Sequence, residues 1–120
     1  MKVSLAPSFR PVKAEGTQIA GAPLLEEGGP RVVLGWSPGD IATPLSPAAA
    51  SLFGPRGVCL HPDGTLWVAD TGHHRLLGWR KIPQSDNEPA DILIGQPSFC
   101  REGRNAKGPP GPATLNVPTG

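Results

Sequence analysis

The most regular feature of the chain is a series of four short apolar runs separated by residues that favour turns. Three of them extend from Gly57 to Leu60, from Leu66 to Asp70 and from Arg75 to Trp79, and the fourth covers Ile92 to Ile94. Runs of this length are typical of β-strands and are too short for a stable helix. The pattern therefore predicts four strands between residues 55 and 95.

The connections between the runs predict how the strands pair. His61-Pro62-Asp63-Gly64 joins the first two runs, with a proline that fixes φ and a glycine that can adopt a positive φ, which is a hairpin signal. Asp70-Thr71-Gly72-His73 joins the next two, and we expect the Asp70 carboxylate to accept from backbone N–H groups of this bend. Four strands joined in this order form an antiparallel meander, the all-β unit that makes one blade of a β-propeller.

Both faces of the predicted sheet are apolar. Strand alternation places Leu66 and Val68 on one face and Trp67 on the other, and it separates Leu76 from Leu77 in the same way. A sheet that is apolar on both faces needs a packed layer on each side. We therefore expect an isolated blade to be marginally stable and to self-associate.

The run from Pro55 to Trp79 resembles an NHL repeat, the unit of a family of six-bladed β-propellers. The matching residues are Pro55, Gly57-Val58, Pro62-Asp63-Gly64, Leu66-Trp67-Val68-Ala69-Asp70 and His74-Arg75-Leu76. The resemblance implies a structural motif made of Pro55, Gly57, Asp63, Gly64, Asp70, His74 and Arg75. The chain departs from the family pattern at His73, where the family usually has asparagine, and we expect this to alter a turn contact.

A second copy of the repeat boundary supports the same interpretation without reference to any family. The copies lie roughly 60 residues apart, a little more than the usual propeller period. The matched segments are Val32–Gly35 with Ile92–Gly95, Ala50-Ser51-Leu52 with Ala113-Thr114-Leu115, and Pro55-Arg56-Gly57 with Pro118-Thr119-Gly120. The additional length lies in two loops, Trp36 to Ala49 and Gln96 to Pro112, and long loops on a rigid sheet commonly carry recognition.

These features predict the organisation of the chain. Residues 1–30 contain many Gly, Pro and Ala residues and show no helical period, so we expect an extended or partly disordered arm. Residues 31–120 form a partial propeller, in which 31–36 is the outer strand of a closing blade, 55–95 is one complete blade and 113–120 begins the next repeat. The sequence is thus expected to be the first part of a longer protein.

Charge and hydropathy exclude several partners. The formal net charge is +1, which gives no electrostatic argument for nucleic acid. Arg101, Arg104 and Lys107 form a small basic cluster interrupted by Glu102, which is typical of a solvated loop. The chain has neither a signal-peptide pattern nor an apolar run of the ~20 residues that span a membrane, so a cytoplasmic location is predicted.

The two cysteines show no metal or redox spacing. Cys59 lies in the first strand, where a small apolar side chain packs well, and Cys100 lies in a loop. A cytosolic setting disfavours a disulfide between them. Both are therefore interpreted as structural thiols.

The histidines His61, His73 and His74 are the candidate metal ligands. Adjacent residues on a strand or turn point to opposite sides, so His73 and His74 do not easily share one ion. We interpret His74 and Arg75 as bracing the turn through hydrogen bonds to backbone carbonyls, and Asp63 and Asp70 as serving their turns. No cofactor is predicted.

Two classes of function remain open. The preferred class is a non-catalytic scaffold whose propeller loops bind a partner, expected to be a protein. The alternative is a propeller hydrolase or lyase, similar to lactonase-like or amidating-lyase-like relatives, with metal ligands on blades that this chain lacks. RNA binding, as in some animal NHL proteins, would need a positively charged face, and the sequence supplies none.

Overall fold

The computed structural model describes residues 27–35 and 46–120, and its centre is one antiparallel sheet. The strands are β1 (Gly57–Leu60), β2 (Leu66–Asp70), β3 (Arg75–Trp79) and β4 (Ile92–Ile94), in the order β1-β2-β3-β4. The four predicted strands and their meander order are confirmed. Over the described residues the helical structure consists of two short 3₁₀ segments, Thr71–His73 and Arg104–Lys107.

One face of the sheet carries the core. The pairing of Val68 with Leu77, and of Leu77 with Leu93, sets these side chains in one row across three strands. Trp79 lies on the same face, next to this row, and is buried together with Ala90. Segments before and after the blade cover this face through partly buried side chains, those of Leu34, Leu52 and Phe99.

The opposite face is covered less completely. A cavity of about 270 Å³ is lined there by Cys59, Trp67, Ala69 and Leu76, together with the backbone around Gly120. β1 is the open edge of the sheet, and Val58 and Leu60 on it remain 73% and 56% exposed. The sheet therefore has one face that is packed over β2 and β3 but exposed over β1, and an opposite face that is half open.

The connection between β1 and β2 is the predicted hairpin turn. The N–H of Gly64 donates to the carbonyl of His61 at 2.9 Å, and the N–H of His61 donates to the carbonyl of Thr65 at 2.9 Å. Gly64 has a φ of +91°, a conformation that side chains rarely adopt. The Asp63 carboxylate accepts from the N–H of Thr65 at 2.8 Å, so this aspartate stabilises its own turn.

The two copies of the repeat boundary have the same geometry. Gly35 forms an isolated parallel bridge with Ser51, and Gly95 forms one with Thr114. Both glycines have a positive φ, +72° and +100°, and a Cβ on either would lie within 3 Å of a leucine side chain, Leu52 or Leu115. The internal repeat read from the sequence is therefore a repeat of structure.

A hydroxyl group closes the same small turn in each copy. Ser51 Oγ accepts from the N–H of Ala48 at 2.8 Å, and Thr114 Oγ1 accepts from the N–H of Gly111 at 2.9 Å. In both cases the hydroxyl-bearing residue also donates its own N–H to the carbonyl three residues earlier. Serine and threonine are equivalent here because each supplies one hydroxyl at the same backbone position.

Residues 31–35 of the predicted outer strand make the single bridge at Gly35 rather than a strand, since one bridge and a positive-φ glycine do not extend a ladder. Cys59 does not pack in the core but is exposed, because the edge strand β1 has no cover, and Cys100 is also exposed. Most of the arm predicted at residues 1–30 lies outside the described residues, and the part that is described, residues 27–30, is exposed. Trp36, the last residue of the predicted outer strand, also lies outside the described residues.

Over the described ranges, no helix is long and apolar enough to cross a membrane.

Candidate functional site

A buried ion pair lies at the turn between β2 and β3, and the other polar side chains of the candidate site are arranged around it. Asp70 ends β2 and Arg75 begins β3, and the pairing of these two residues brings Arg75 Nε within 2.7 Å of Asp70 Oδ2. Both side chains are fully buried. His73, in the 3₁₀ turn between them, places Nδ1 2.8 Å from the same carboxylate oxygen. The turn thus gathers one carboxylate, one guanidinium and one imidazole.

Arg75 connects this turn to three backbone carbonyls. Its Nη1 donates to the carbonyl of Phe99 at 2.7 Å, and its Nη2 donates to the carbonyls of Ala48 and Ser51, both at 2.9 Å. The interpretation that Arg75 braces the turn through backbone carbonyls agrees with this geometry. The planar guanidinium suits the task because its five donors point in fixed directions.

Asp70 takes part in the same network with both oxygens. Its Oδ1 accepts from the N–H of Phe53 at 2.6 Å, rather than from the N–H groups of its own bend as the sequence led us to expect. Burial raises the pKa of Asp70, but the hydrogen bonds from His73, Phe53 and Arg75 outweigh burial and leave the pKa below its ordinary value. We therefore expect the carboxylate to be ionised at neutral pH, as its pairing with Arg75 requires.

A glutamine holds the loop of residues 96–112 against this turn. Gln96 Nε2 donates to the carbonyl of Gly103 at 2.8 Å and to that of His74 at 3.2 Å. Its Oε1 is buried without a hydrogen-bond partner among the described residues. Further along the loop, Glu102 Oε2 lies 3.8 Å from His73 Nε2, so the loop also contacts the buried cluster.

The structure does not bring the three histidines together. His61 lies in the β1–β2 turn, where its Nδ1 is 2.9 Å from Asp63 Oδ1, at the opposite end of β2 from the other two. His73 points into the buried cluster, whereas His74 Nδ1 accepts from the N–H of Val117 at 3.0 Å. The hydrogen bond of the His74 side chain is thus to a backbone N–H and not to a backbone carbonyl, as the sequence interpretation had it. Over residues 27–35 and 46–120, no group of three His, Cys, Asp or Glu side chains is arranged to hold a metal ion.

The remaining motif residues serve the turns and the segment boundaries. The N–H of Thr65 donates to the exposed Asp63 carboxylate, and this hydrogen bond, with those of the His61 and Thr65 side chains, lowers the pKa of Asp63 to about 2. Gly57 is needed because a Cβ there would lie 2.8 Å from the backbone of Gly120, in the second copy of the boundary. Pro55 lines an open groove with Arg56 and Val58.

Three participants were missed in the sequence: Phe53, Gln96 and Glu102. Phe53 acts mainly through its backbone, donating to Asp70 and accepting from the N–H of Gly72 at 2.8 Å. Gln96 follows Gly95 directly after β4. Its position at a repeat boundary was the only feature of the sequence that could have indicated a role in the site. Glu102 lies 29 residues beyond His73, a separation at which no local pattern predicts contact.

The part of the chain that forms this site also matches a known protein family. The family model of the NHL repeat matches residues 54–79, a range that contains β1, β2, β3 and the buried ion pair. Neither the curated proteins nor the solved structures gave a significant match. Residues 54–79 of this chain therefore match the NHL repeat, as the sequence resemblance predicted.

Proposed function

We propose that this chain contributes one blade to a six-bladed NHL-type propeller that acts as a non-catalytic, protein-binding scaffold. The repeat at residues 54–79 and the four-stranded sheet support the blade assignment. Propellers of one fold carry many functions, so the functional part of the proposal depends on the side chains of this chain and not on the fold.

The proposal of a non-catalytic role is supported mainly by where the polar side chains lie and what they contact. Asp70 and Arg75 are fully buried and hydrogen-bonded to each other and to the backbone, and His73 is buried on the same carboxylate. A general acid, base or nucleophile must reach a substrate. These groups instead join segments of the chain, which is a structural use.

The loop of residues 96–112 is the proposed binding surface. It is held to the blade by Gln96, and the side chains of Ser98, Arg101 and Lys107 on it are exposed. Defined loops presented by a rigid sheet are the usual location of binding residues. A protein partner, rather than a small substrate, suits an exposed and charged loop surface of this kind.

Site-specific photo-crosslinking tests the proposal. A photoreactive amino acid replaces Ser98 in the loop or, as a matched control, the exposed Ser85 in the β3–β4 connection. We expect a discrete protein adduct from position 98 in cell extract and none from position 85. Metal-dependent turnover of a lactone or of an α-hydroxyglycine peptide by the protein, with no adduct at position 98, would instead favour the hydrolase or lyase alternative.

A further inference from the structure

The loop of residues 96–112 forms a cleft with a basic lining. The cleft has a volume of about 380 Å³ and is open to solvent. Its lining consists of Pro97, Ser98, Arg101, Glu102, Ala106 and Lys107. Phe99, which lies between these residues in the sequence, packs against the apolar core and does not line this basic cleft.

The shape of the basic cleft is imposed by backbone structure. Three consecutive residues without glycine, Asn105, Ala106 and Lys107, have left-handed φ values of 49°, 56° and 63°. This conformation is unfavourable for L-residues and persists only where the surroundings enforce it. The N–H of Asn105 donates to the carbonyl of Leu115 at 2.9 Å, and Gln96 holds the carbonyl of Gly103.

The same backbone path positions Lys107. A Cβ on Gly103 would lie 2.8 Å from Lys107 Cγ, so the aliphatic part of this lysine lies directly over the glycine. Gly103 itself has a φ of +111° and therefore both permits the bend and leaves space for the lysine. The stem of Lys107 is thus packed on Gly103, and the side chain lines the basic cleft while remaining exposed.

The charges around the basic cleft are unbalanced. Residues 96–112 contain three cations, Arg101, Arg104 and Lys107, and one carboxylate, which gives the loop a charge of +2 while the whole chain has +1. The one carboxylate, Glu102, has its Oε2 3.8 Å from His73 Nε2. None of the three cations forms an ion pair with a residue that the structure describes.

We propose that the basic cleft binds a carboxylate-bearing segment of a protein partner, with Arg101 and Lys107 as the two positive contacts. The inference rests on the proposed protein-binding function and names the chemistry that the loop recognises. An exposed arginine and a positioned lysine pair well with aspartate or glutamate side chains, and such pairs contribute specificity and association rate.

An acidic peptide fits these observations better than a nucleic acid does. Binding of single-stranded RNA uses aromatic side chains for base stacking together with an extended positive groove. No aromatic side chain lines the basic cleft, since Phe99 is partly buried against the core. The positive charge is also confined to one loop, as the rest of the chain is not basic.

Fluorescence anisotropy with a labelled ten-residue peptide of alternating Glu and Gly tests the inference. The protein is compared with the double variant Arg101→Gln/Lys107→Gln and with a matched control, Arg80→Gln/Lys81→Gln, which removes the same charge from an exposed site outside the loop. We expect the loop variant to bind at least tenfold more weakly at low salt and the control to bind within twofold of the unmodified protein. Binding should weaken as salt rises.

Three results would overturn the inference. They are an equal loss of affinity in both variants, no binding of the peptide at all, and tighter binding of a single-stranded RNA of equal charge. The unfolding midpoint of each variant, followed by Trp fluorescence, verifies that the fold is retained. If the peptide fails to bind while crosslinking from position 98 persists, this inference falls and the proposed function stands. Peptide binding without any protein adduct from position 98 would support this inference and would count against the proposed function.

Discussion

The two copies of the repeat boundary, residues 46–57 and 109–120, share one local turn but differ in whether an arginine side chain reaches it. Each has a hydroxyl-closed turn, a bridge to a positive-φ glycine and a leucine against that glycine. In the first copy the carbonyls of Ala48 and Ser51 also accept hydrogen bonds from Arg75 Nη2. Over the described residues no guanidinium reaches the equivalent carbonyls of Gly111 and Thr114. The turn therefore forms from local interactions, and the arginine adds a connection to the sheet.

The largest expected effect comes from removing that connection. Arg75→Ala leaves the buried Asp70 carboxylate without its cation and leaves three carbonyls without a donor, so we expect a loss of about 3–5 kcal/mol in the free energy of unfolding. Urea unfolding followed by Trp fluorescence measures it, since Trp79 is buried.

Arg104→Ala is the matched control for the arginine. Arg104 is exposed and lies shortly before the second copy, so its removal should change the free energy of unfolding by less than about 0.5 kcal/mol. Equal losses for the two variants would mean that the contacts of Arg75 contribute nothing specific, and the comparison between the copies would lose its basis.

The glycines should behave alike in the two copies. Gly35→Ala and Gly95→Ala each force alanine into a positive φ and place a Cβ within 3 Å of a leucine side chain, which we expect to cost about 2–4 kcal/mol. Gly54→Ala separates the two causes, because Gly54 has a φ of +57° with no atom near its Cβ, and should cost only about 1–2 kcal/mol. Thermal unfolding of the three variants gives the ranking. A Gly95→Ala protein as stable as the original would show that the second copy is not a structural repeat of the first.

The hydroxyl groups should produce the smallest effect. Ser51→Ala and Thr114→Ala each remove a hydroxyl that accepts one backbone N–H, and we expect each to cost about 0.5–1.5 kcal/mol. Thr114→Ser retains the hydroxyl and serves as the control, with little change expected. Chemical denaturation is sensitive enough to rank them. A loss confined to Ser51→Ala would mean that the hydroxyl matters only in the copy that Arg75 connects to the sheet, and the two turns would not be equivalent.

The sequence predicted the elements well because their signals are local. Strand bounds followed from apolar runs, and the β1–β2 hairpin followed from Pro62 and Gly64, both within a few residues of the structure they determine. The contacts of the buried cluster were not predictable in the same way. Phe53 and Asp70 are 17 residues apart, and Arg75 and Ala48 are 27 apart, so no periodic pattern connects them.

Exposure was the other point at which sequence reasoning failed. Cys59 was expected to pack because it lies in an apolar strand, yet β1 is the sheet edge and its apolar side chains face solvent. The left-handed turn at Asn105 to Lys107 was also missed, since only glycine signals that conformation reliably in a sequence. Burial depends on which segments cover a strand, and the strand's own residues do not contain that information.

We propose that this sheet is one blade of a larger ring, with apolar surface that neighbouring blades would cover. Sedimentation and light scattering of the 120-residue polypeptide test it most directly. Because Val58 and Leu60 are 73% and 56% exposed, we expect concentration-dependent association that Val58→Thr/Leu60→Thr reduces. A monodisperse monomer with a sharp thermal transition would show a self-sufficient domain and would contradict the account.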